Sequence, residues 1–412
     1  MRHPVATSEQ HEHERDALAL TQHPTVRRAF DEVRSHWLAA ARPGEDMARC
    51  FEAAFEEVMF SAAVWSLNED VQRPRVVTIT RLAHPIGELQ IPGSRWGIDN
   101  PDTVYRVIPI SGEERYRITG RVAEPRMSEN YFTLWDEQFN TVDVLNGAEL
   151  VLDDDGRFVI TVDSEPGGER PNHVRSAPAA HELYIRDVIQ DWAVETPNEL
   201  SVERLEGPPL REPRSLDEQA ARTADFMLRY ADSTRRWNQQ AYDKPANELE
   251  FTIDRETDGA LRNQVYILGH FALEPDEALV IDVQLGGAGY FVAPITNCWG
   301  TTNDIVSRTS CLNLAQTARN EDGSCTYVLS RADPGVHNWL DPCDMGEGIL
   351  TLRWAEFPGG RPTPEVGATS RVVPLAGVRD AVSPGTTFVT AQERAAQCAA
   401  RKQAYLRRLP EV

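Results

Sequence analysis

The chain reads as mainly β with α, built as two duplicated jelly-roll or β-sandwich-like modules with flanking and linking helices. Three observations predict this. Short runs of alternating apolar residues are broken at close intervals by Gly, Pro, Asn and Asp turns, a pattern that suits sandwiches better than parallel sheets. A block occurs twice. Asp155-Gly-Arg-Phe-Val-Ile-Thr-Val, Pro166-Gly167, Asn172-His173 and Leu183-Tyr-Ile-Arg186 return at a nearly constant offset as Asp322-Gly-Ser-Cys-Thr-Tyr-Val-Leu, Pro334-Gly335, Asn338-Trp339 and Leu350-Thr-Leu-Arg353. Helical apolar spacing, finally, is found outside the two modules.

Taken in order, the first 20 or so residues are polar and rich in His and Glu, and His3, His11 and His13 read as part of a solvated tail. From Pro24, apolar residues recur at helical spacing (Val26, Phe30, Val33, Trp37). They do so more densely from Glu45 to Asn68, which predicts a helix packed against something large. Between Arg73 and Gly97 the composition turns β-branched and then rich in Pro and Gly, the expected entry into a sheet. Strands follow at Tyr105–Ile110, Tyr116–Val122 and Asn130–Glu137, the last with Tyr131, Thr133 and Trp135 on one face. Asp153-Asp-Asp-Gly156 supplies a hairpin turn, and Leu183–Trp192 and Leu200–Leu205 close the first module.

Glu206-Gly-Pro-Pro-Leu-Arg-Glu-Pro213 is a linker. Ser215 and Glu218 then form a capping box for a helix that reaches about Gln240 and is stopped by Pro245. The second module repeats the strand, turn, strand order at Val265–His270, Glu274–Glu277 and Leu279–Leu285. One segment, Thr296–Asp304, has no counterpart in the first copy. Beyond Pro358 the chain reads as loop until Thr390 and Glu393 cap a final helix to Leu409. The expected division is therefore 1–72 helical, 73–206 first β module, 207–247 linker and helix, 248–375 second β module, and 376–412 C-terminal helix.

Composition narrows the function. With 42 Lys and Arg against 64 Asp and Glu, the net charge is −22. That disfavours nucleic acid and anionic membrane surfaces, both of which need clustered cations. The six cysteines show no Cys-x-x-Cys spacing, no apolar run follows Met1, and no stretch is long enough to cross a bilayer. A cytoplasmic protein with free thiols is expected. No Walker loop, dinucleotide fingerprint, Gly-x-Ser-x-Gly elbow or His-Glu-x-x-His pair is present, so no cofactor and no metal are expected.

The repeated block resembles domain-of-unknown-function family 1214 through Asp322-Gly323-Ser324, Pro334-Gly335, Asn338-Trp339-Leu340 and Leu350-Thr351-Leu352-Arg353. Asp341 stands where that family usually has Pro. The first half looks like the companion family 1254 through Asn100-Pro101-Asp102-Thr103-Val104-Tyr105 and Tyr131-Phe132-Thr133-Leu134-Trp135-Asp136. The resemblance covers roughly residues 98–206 and 262–358. It implies paired jelly-roll-like β domains with an α-helical supplement, and little about activity.

Loops at strand ends supply the candidate chemistry. His337 lies among carboxylates as a candidate base, beside Asn338 as a donor and Trp339 as a stacking surface. Asp102 and Asp136, near Tyr105 and Trp135, have the makings of paired carboxylates in an aromatic cleft. The unmatched segment offers Asn297, Trp299 and Asp304. Asp304, His337, Asp102 and Asp136 are the expected catalytic residues. Trp299, Asn297, Trp339, Asn338, Tyr105 and Trp135 are the expected substrate-binding ones. The function expected is a cofactor-independent enzyme using acid/base chemistry on a small, largely apolar or cyclic molecule, as a lyase, isomerase, cyclase or hydrolase. The alternative is a non-catalytic protein that binds a carbohydrate or another small ligand. The helices leave room for a homo-oligomer.

Overall fold

Four helices open the chain: α1 (Ser8–Leu20), α2 (Pro24–Ala41), α3 (Glu45–Arg49) and α4 (Phe51–Leu67). The structure, a computed structural model, describes residues 4–249 and 263–409; His3 lies outside the described residues. The polar N-terminal stretch is not a tail. Thr7 caps α1 by accepting from the Gln10 amide, and Gln10, His11, His13 and Glu14 are all buried. For Gln10, His13 and Glu14 that burial is possible because distant partners satisfy their polar groups, whereas His11 Nε2 finds no partner among the described residues. The Gln10 side-chain amide exchanges hydrogen bonds with the Thr78 backbone at 2.9 and 2.8 Å, and His13 Nε2 lies 2.7 Å from Val64 O. The Glu14 carboxylate accepts from Arg81 at 2.5 Å and from His84 at 3.1 Å. Burial alone would raise its pKa, but His84, Arg81 and Gln10 hold it at about 2. Helix α4 is apolar almost all round because it is the centre of the helical layer, with α1 on one side and a later helix on another.

A short strand, β1 (Val77–Thr78), and the hairpin β2 (His84–Ile86) with β3 (Leu89–Ile91) follow. The first sandwich then contains β4 (Thr103–Pro109), β5 (Arg115–Arg121), β6 (Glu129–Trp135), β7 (Thr141–Asn146), β8 (Arg157–Asp163), β9 (His173–Arg175), β10 (Glu182–Val188) and β11 (Glu199–Glu206). Its sheets have the orders β1-β4-β10-β6-β7 and β11-β5-β8-β9. Helix α5 (Leu216–Tyr242) begins at the expected capping box.

The second sandwich contains β12 (Gln264–Ala272), β13 (Glu277–Gln284), β14 (Tyr290–Thr296), β15 (Cys311–Asn313), β16 (Cys325–Ser330), β17 (Trp339–Leu340), β18 (Glu347–Ala355) and β19 (Gly367–Pro374), in the orders β12-β18-β14-β15 and β17-β16-β13-β19. Strand for strand, β4-β10-β6-β7 matches β12-β18-β14-β15, and β11-β5-β8-β9 matches β19-β13-β16-β17. Each copy also contains one parallel pair at the same place, β8 with β9 and β16 with β17. The stretch after Pro358 is not all loop. Strand β19 pairs along β13 as an exposed edge, and Arg371 reaches Asp282 at 2.6 Å.

Each sandwich has its own apolar core between its sheets, one around Ile108, Phe132 and Ile160, the other around Ile281, Phe291 and Trp354. What positions the site is the front sheet of the first sandwich. Strands β4, β6 and β10 are buried on both faces or nearly so, because the helical layer covers the face turned away from the core. The sandwiches meet through Val104, Val188 and Ile189 on one side and Tyr290, Val292 and Ala355 on the other. The short α6 (Val378–Ala381) and then α7 (Ala391–Leu406) complete the chain. The α7 segment straps the junction: Arg401 donates to Ile305 O at 2.6 Å, Arg408 to Pro101 O at 2.7 Å, and Tyr405 meets Trp192 edge-on at 5.0 Å. None of the described helices is long and apolar enough to cross a membrane.

Candidate functional site

Alternation along β4, β6 and β10 turns Tyr105, Trp135, Tyr184 and Arg186 to the helix-covered face. Register sets Arg186 directly between Tyr105 and Tyr131, and Tyr184 one row on, between Val107 and Thr133. Trp135 and Tyr184 stack with centroids 4.1 Å apart and planes 21° apart. The Arg186 guanidinium lies over both rings, at 5.1 and 4.7 Å. The second sandwich repeats the row. Tyr266 on β12 is the registered neighbour of Arg353 on β18, whose guanidinium lies 5.3 Å from the Tyr266 ring.

Both Tyr–Arg pairs border one chamber of about 180 Å³. The helices close it with Trp65 from α4 and Tyr230 and Trp237 from α5, and the loop Trp96–Asp99 forms a further wall. That loop is tightly specified. Gly97 has φ +82°, and a Cβ there would stand 2.3 Å from the Tyr230 hydroxyl, so only glycine fits. Ile98 follows at φ 59°, a costly conformation for a β-branched residue. Its N–H is held by Gly300 O at 2.9 Å and its carbonyl accepts from Arg353 at 3.1 Å. Asp99 accepts from the Thr302 amide at 3.1 Å and hydroxyl at 3.0 Å, and burial raises its pKa. Burial likewise pushes the Tyr230 and Tyr266 hydroxyls above their ordinary range, so they stay protonated donors. Three buried N–H groups of lining residues find no acceptor among the described residues: Trp96 Nε1, Trp135 Nε1 and Arg353 Nε.

Of the residues singled out from sequence, Tyr105 and Trp135 lie in this wall. The others are held elsewhere. Asp102 is fully buried and ties the sandwiches together, accepting from Trp192 Nε1 at 2.7 Å, the Tyr290 hydroxyl at 2.7 Å and Asn313 Nδ2 at 2.8 Å. Asp136 caps its own turn, accepting from the amides of Gln138 and Asn140 at 2.9 Å. Trp299 is fully buried in the helical core, stacked on Trp37 at 6.2 Å and donating to Met47 O at 3.1 Å. Asn297 shapes the same loop through the Trp299 and Thr301 amides. Asp304 caps Val306 and Ser307. Asn297 and Asp304 also border a separate open cleft beside α3, with Arg95 and Cys343.

In the second-copy loop, Asn338 bridges Ala318 and Thr326 just as Asn172 bridges Val151 and Val159 in the first. Trp339 donates to Ser330 O at 2.9 Å beneath Arg394. His337 rests against Gln316 O at 3.4 Å, with its pKa lowered by burial. These three side chains and Asp304 do not border the chamber. Sequence reasoning passed over Arg186, Arg353, Tyr184, Tyr230, Tyr266 and Asp99. The available signal was the single arginine that ends each copy of the repeated block. Among the described residues no three His, Cys, Asp or Glu side chains gather so as to hold a metal ion.

No family model matches the chain, and no curated protein matches it. In fold it is similar to the crystal structure of an uncharacterized protein from Burkholderia cenocepacia, with a TM-score of 0.75 and 23% identity over 88% of this chain and 99% of that one. The crystal structure of the VPA0106 protein from Vibrio parahaemolyticus also matches, with a TM-score of 0.42 and 10% identity over 67% of this chain and 90% of that one.

Proposed function

We propose that the protein takes a small, largely apolar or cyclic molecule into the aromatic chamber. The observation that carries this reading is the pair of Tyr–Arg rows, one from each sandwich, that converge on a single cavity walled by indole and phenol rings. A cavity of about 180 Å³ is smaller than the roughly 300–1,000 Å³ of sites for drug-sized ligands. It is close to the ~150 Å³ apolar cavity that takes benzene in another protein, so a single ring with one substituent is the size class. The likeness to domain-of-unknown-function families 1254 and 1214 belongs to the same proposal, supported by the motif residues that supply Tyr105, Trp135 and Arg353.

A second reading, a cofactor-independent acid/base enzyme, is favoured by Asp99. Its buried carboxyl borders the chamber with a raised pKa, a state suited to donating a proton beside neutral tyrosine hydroxyls. Binding is tested by titrating a panel of monocyclic compounds while following tryptophan emission, since Trp65, Trp96, Trp135 and Trp237 all border the cavity. Saturable changes that Trp135→Ala and Tyr184→Ala weaken are expected. A panel without a saturating compound, or full binding by both variants, would refute the site. Product formation lost in Asp99→Asn, with binding kept, would decide for the enzyme.

A further inference from the structure

Resting on the chamber as the binding site, we propose that its ligand is a monocyclic carbonyl compound whose uncharged oxygen accepts from the Tyr184 and Tyr230 hydroxyls. Three phenols border the cavity, Tyr105, Tyr184 and Tyr230, and they are 7%, 8% and 7% exposed. The Tyr105 and Tyr184 rings have centroids 5.6 Å apart, and the Tyr184 hydroxyl lies in the field of both other phenols. Tyr230 reaches the same neighbourhood from α5, with its hydroxyl set against Gly97 in the loop that walls the chamber. Two strands and a helix thus bring three hydroxyls together. Tyr105 accepts from the Asn100 amide at 3.2 Å. The Tyr184 and Tyr230 hydroxyls have no hydrogen-bond partner among the described residues. A phenol left so at this depth costs free energy until something in the cavity pairs with it.

What these hydroxyls lack is an acceptor. Burial holds Tyr184 and Tyr230 above the ordinary phenol range, so both keep their protons at neutral pH. Trp96 Nε1 and Trp135 Nε1, buried in the same wall, are donors without an acceptor among the described residues. The acceptors at hand are in use. Asp99 takes the Thr302 amide and hydroxyl, Ile98 O takes Arg353, and Glu182 takes Trp65 Nε1. A ligand that brings oxygen lone pairs and no proton of its own completes this set. It does not have to bring charge. Glu129 lies in the field of both Arg186 and Arg353, and Arg186 also donates to Thr133 at 3.4 Å. A neutral carbonyl group on a ring packed against Trp135 and Tyr184 is the match.

The test is calorimetric titration of the full chain with acetophenone and with α-methylstyrene, in which a methylene group replaces the carbonyl oxygen. The hydrocarbon leaves water more readily, so a chamber that offered only apolar contact would favour it. Acetophenone is expected to bind at least as tightly. Tyr184→Phe and Tyr230→Phe should each weaken acetophenone about two- to tenfold, the range for one neutral hydrogen bond, and leave α-methylstyrene unchanged. The infrared carbonyl stretch of bound acetophenone should lie below its position in hexane and move back up in both variants. Tighter binding of α-methylstyrene by the unaltered protein, or a carbonyl stretch that neither variant moves, would overturn the carbonyl inference and leave the chamber reading standing. Binding of neither probe would overturn both for this size class. The comparison of probes on the unaltered protein needs no variant, so it decides the matter even where a variant fails to fold.

Discussion

Replacing Glu182 by Gln separates the cost of a buried charge from the packing around it. Glu182 lies on β10, 6% exposed, and accepts from Trp65 Nε1 at 2.9 Å. Burial, opposed by that hydrogen bond and reinforced by Glu69, raises its pKa from 4.5 to about 8. The folded protein therefore holds a proton between pH 4.5 and 8 that the unfolded chain has released. Its contribution to stability is greatest below pH 4.5, declines as pH rises, and is gone above pH 8. At about 1.4 kcal/mol per pH unit, the interval from 4.5 to 8 sets a ceiling near 5 kcal/mol on that loss, of which relaxation and water entry leave about 2–4 kcal/mol. Glutamine keeps the acceptor for Trp65 and cannot ionise, while its new amide donor costs about 1–3 kcal/mol if unpaired. Glu182→Gln should thus be equal to or slightly less stable than the parent at pH 5 and more stable at pH 9. Urea midpoints of both proteins at pH 5, 7 and 9 check this, because the other raised carboxyls are common to both and cancel in the difference. Parallel curves across that range would rule out a Glu182 that is protonated in the folded protein.

Further outcomes follow from the same contacts. Asp102→Leu leaves Trp192, Tyr290 and Asn313 without their shared acceptor, and a loss of about 3–5 kcal/mol is expected from stranding buried donors. Asp102→Asn should lose less, as measured by chemical denaturation. Trp299→Ala, which empties a fully buried site between Trp37 and Phe51, should cost about 3–5 kcal/mol and lower the melting temperature. Asp304→Asn and His337→Gln should leave binding unchanged, because neither side chain borders the chamber; a tenfold weakening by either would contradict the placement of the site.

The parts of this molecule that could be read from sequence are those fixed by local chemistry. Turn residues such as Asp153–Gly156, the alternation of Tyr131, Thr133 and Trp135, and the capping box at Ser215 and Glu218 act within a few residues of themselves, and each is where expected. Helix α1 was hidden because its buried face is polar. Gln10, His13 and Glu14 are satisfied by Thr78, Val64, Arg81 and His84, partners that no window along the chain contains. Strand β19 was hidden because an exposed edge strand carries little hydrophobic signal.

The candidate site was half visible. Tyr105 and Trp135 stood out as aromatics on strands. Arg186 and Arg353 stood out only as the ends of a repeated block, and a repeated residue reads naturally as scaffold. Asn172 and Asn338 do the same loop-bracing work in both copies. The arginines differ because the face they occupy is covered by α4 and α5 in three dimensions. Polar strand-end loops misled for a matching reason: Asp136 and Asp304 have the composition of a site because they cap their own turns.

Whether the two sandwiches jointly build one ligand chamber is open to direct observation in a crystal structure of the protein grown with a saturating monocyclic compound. Electron density is expected for the ring against Trp135 and Tyr184, within walls supplied by both sandwiches. That compound ordered elsewhere, with the chamber closed by its own side chains, would contradict a shared chamber.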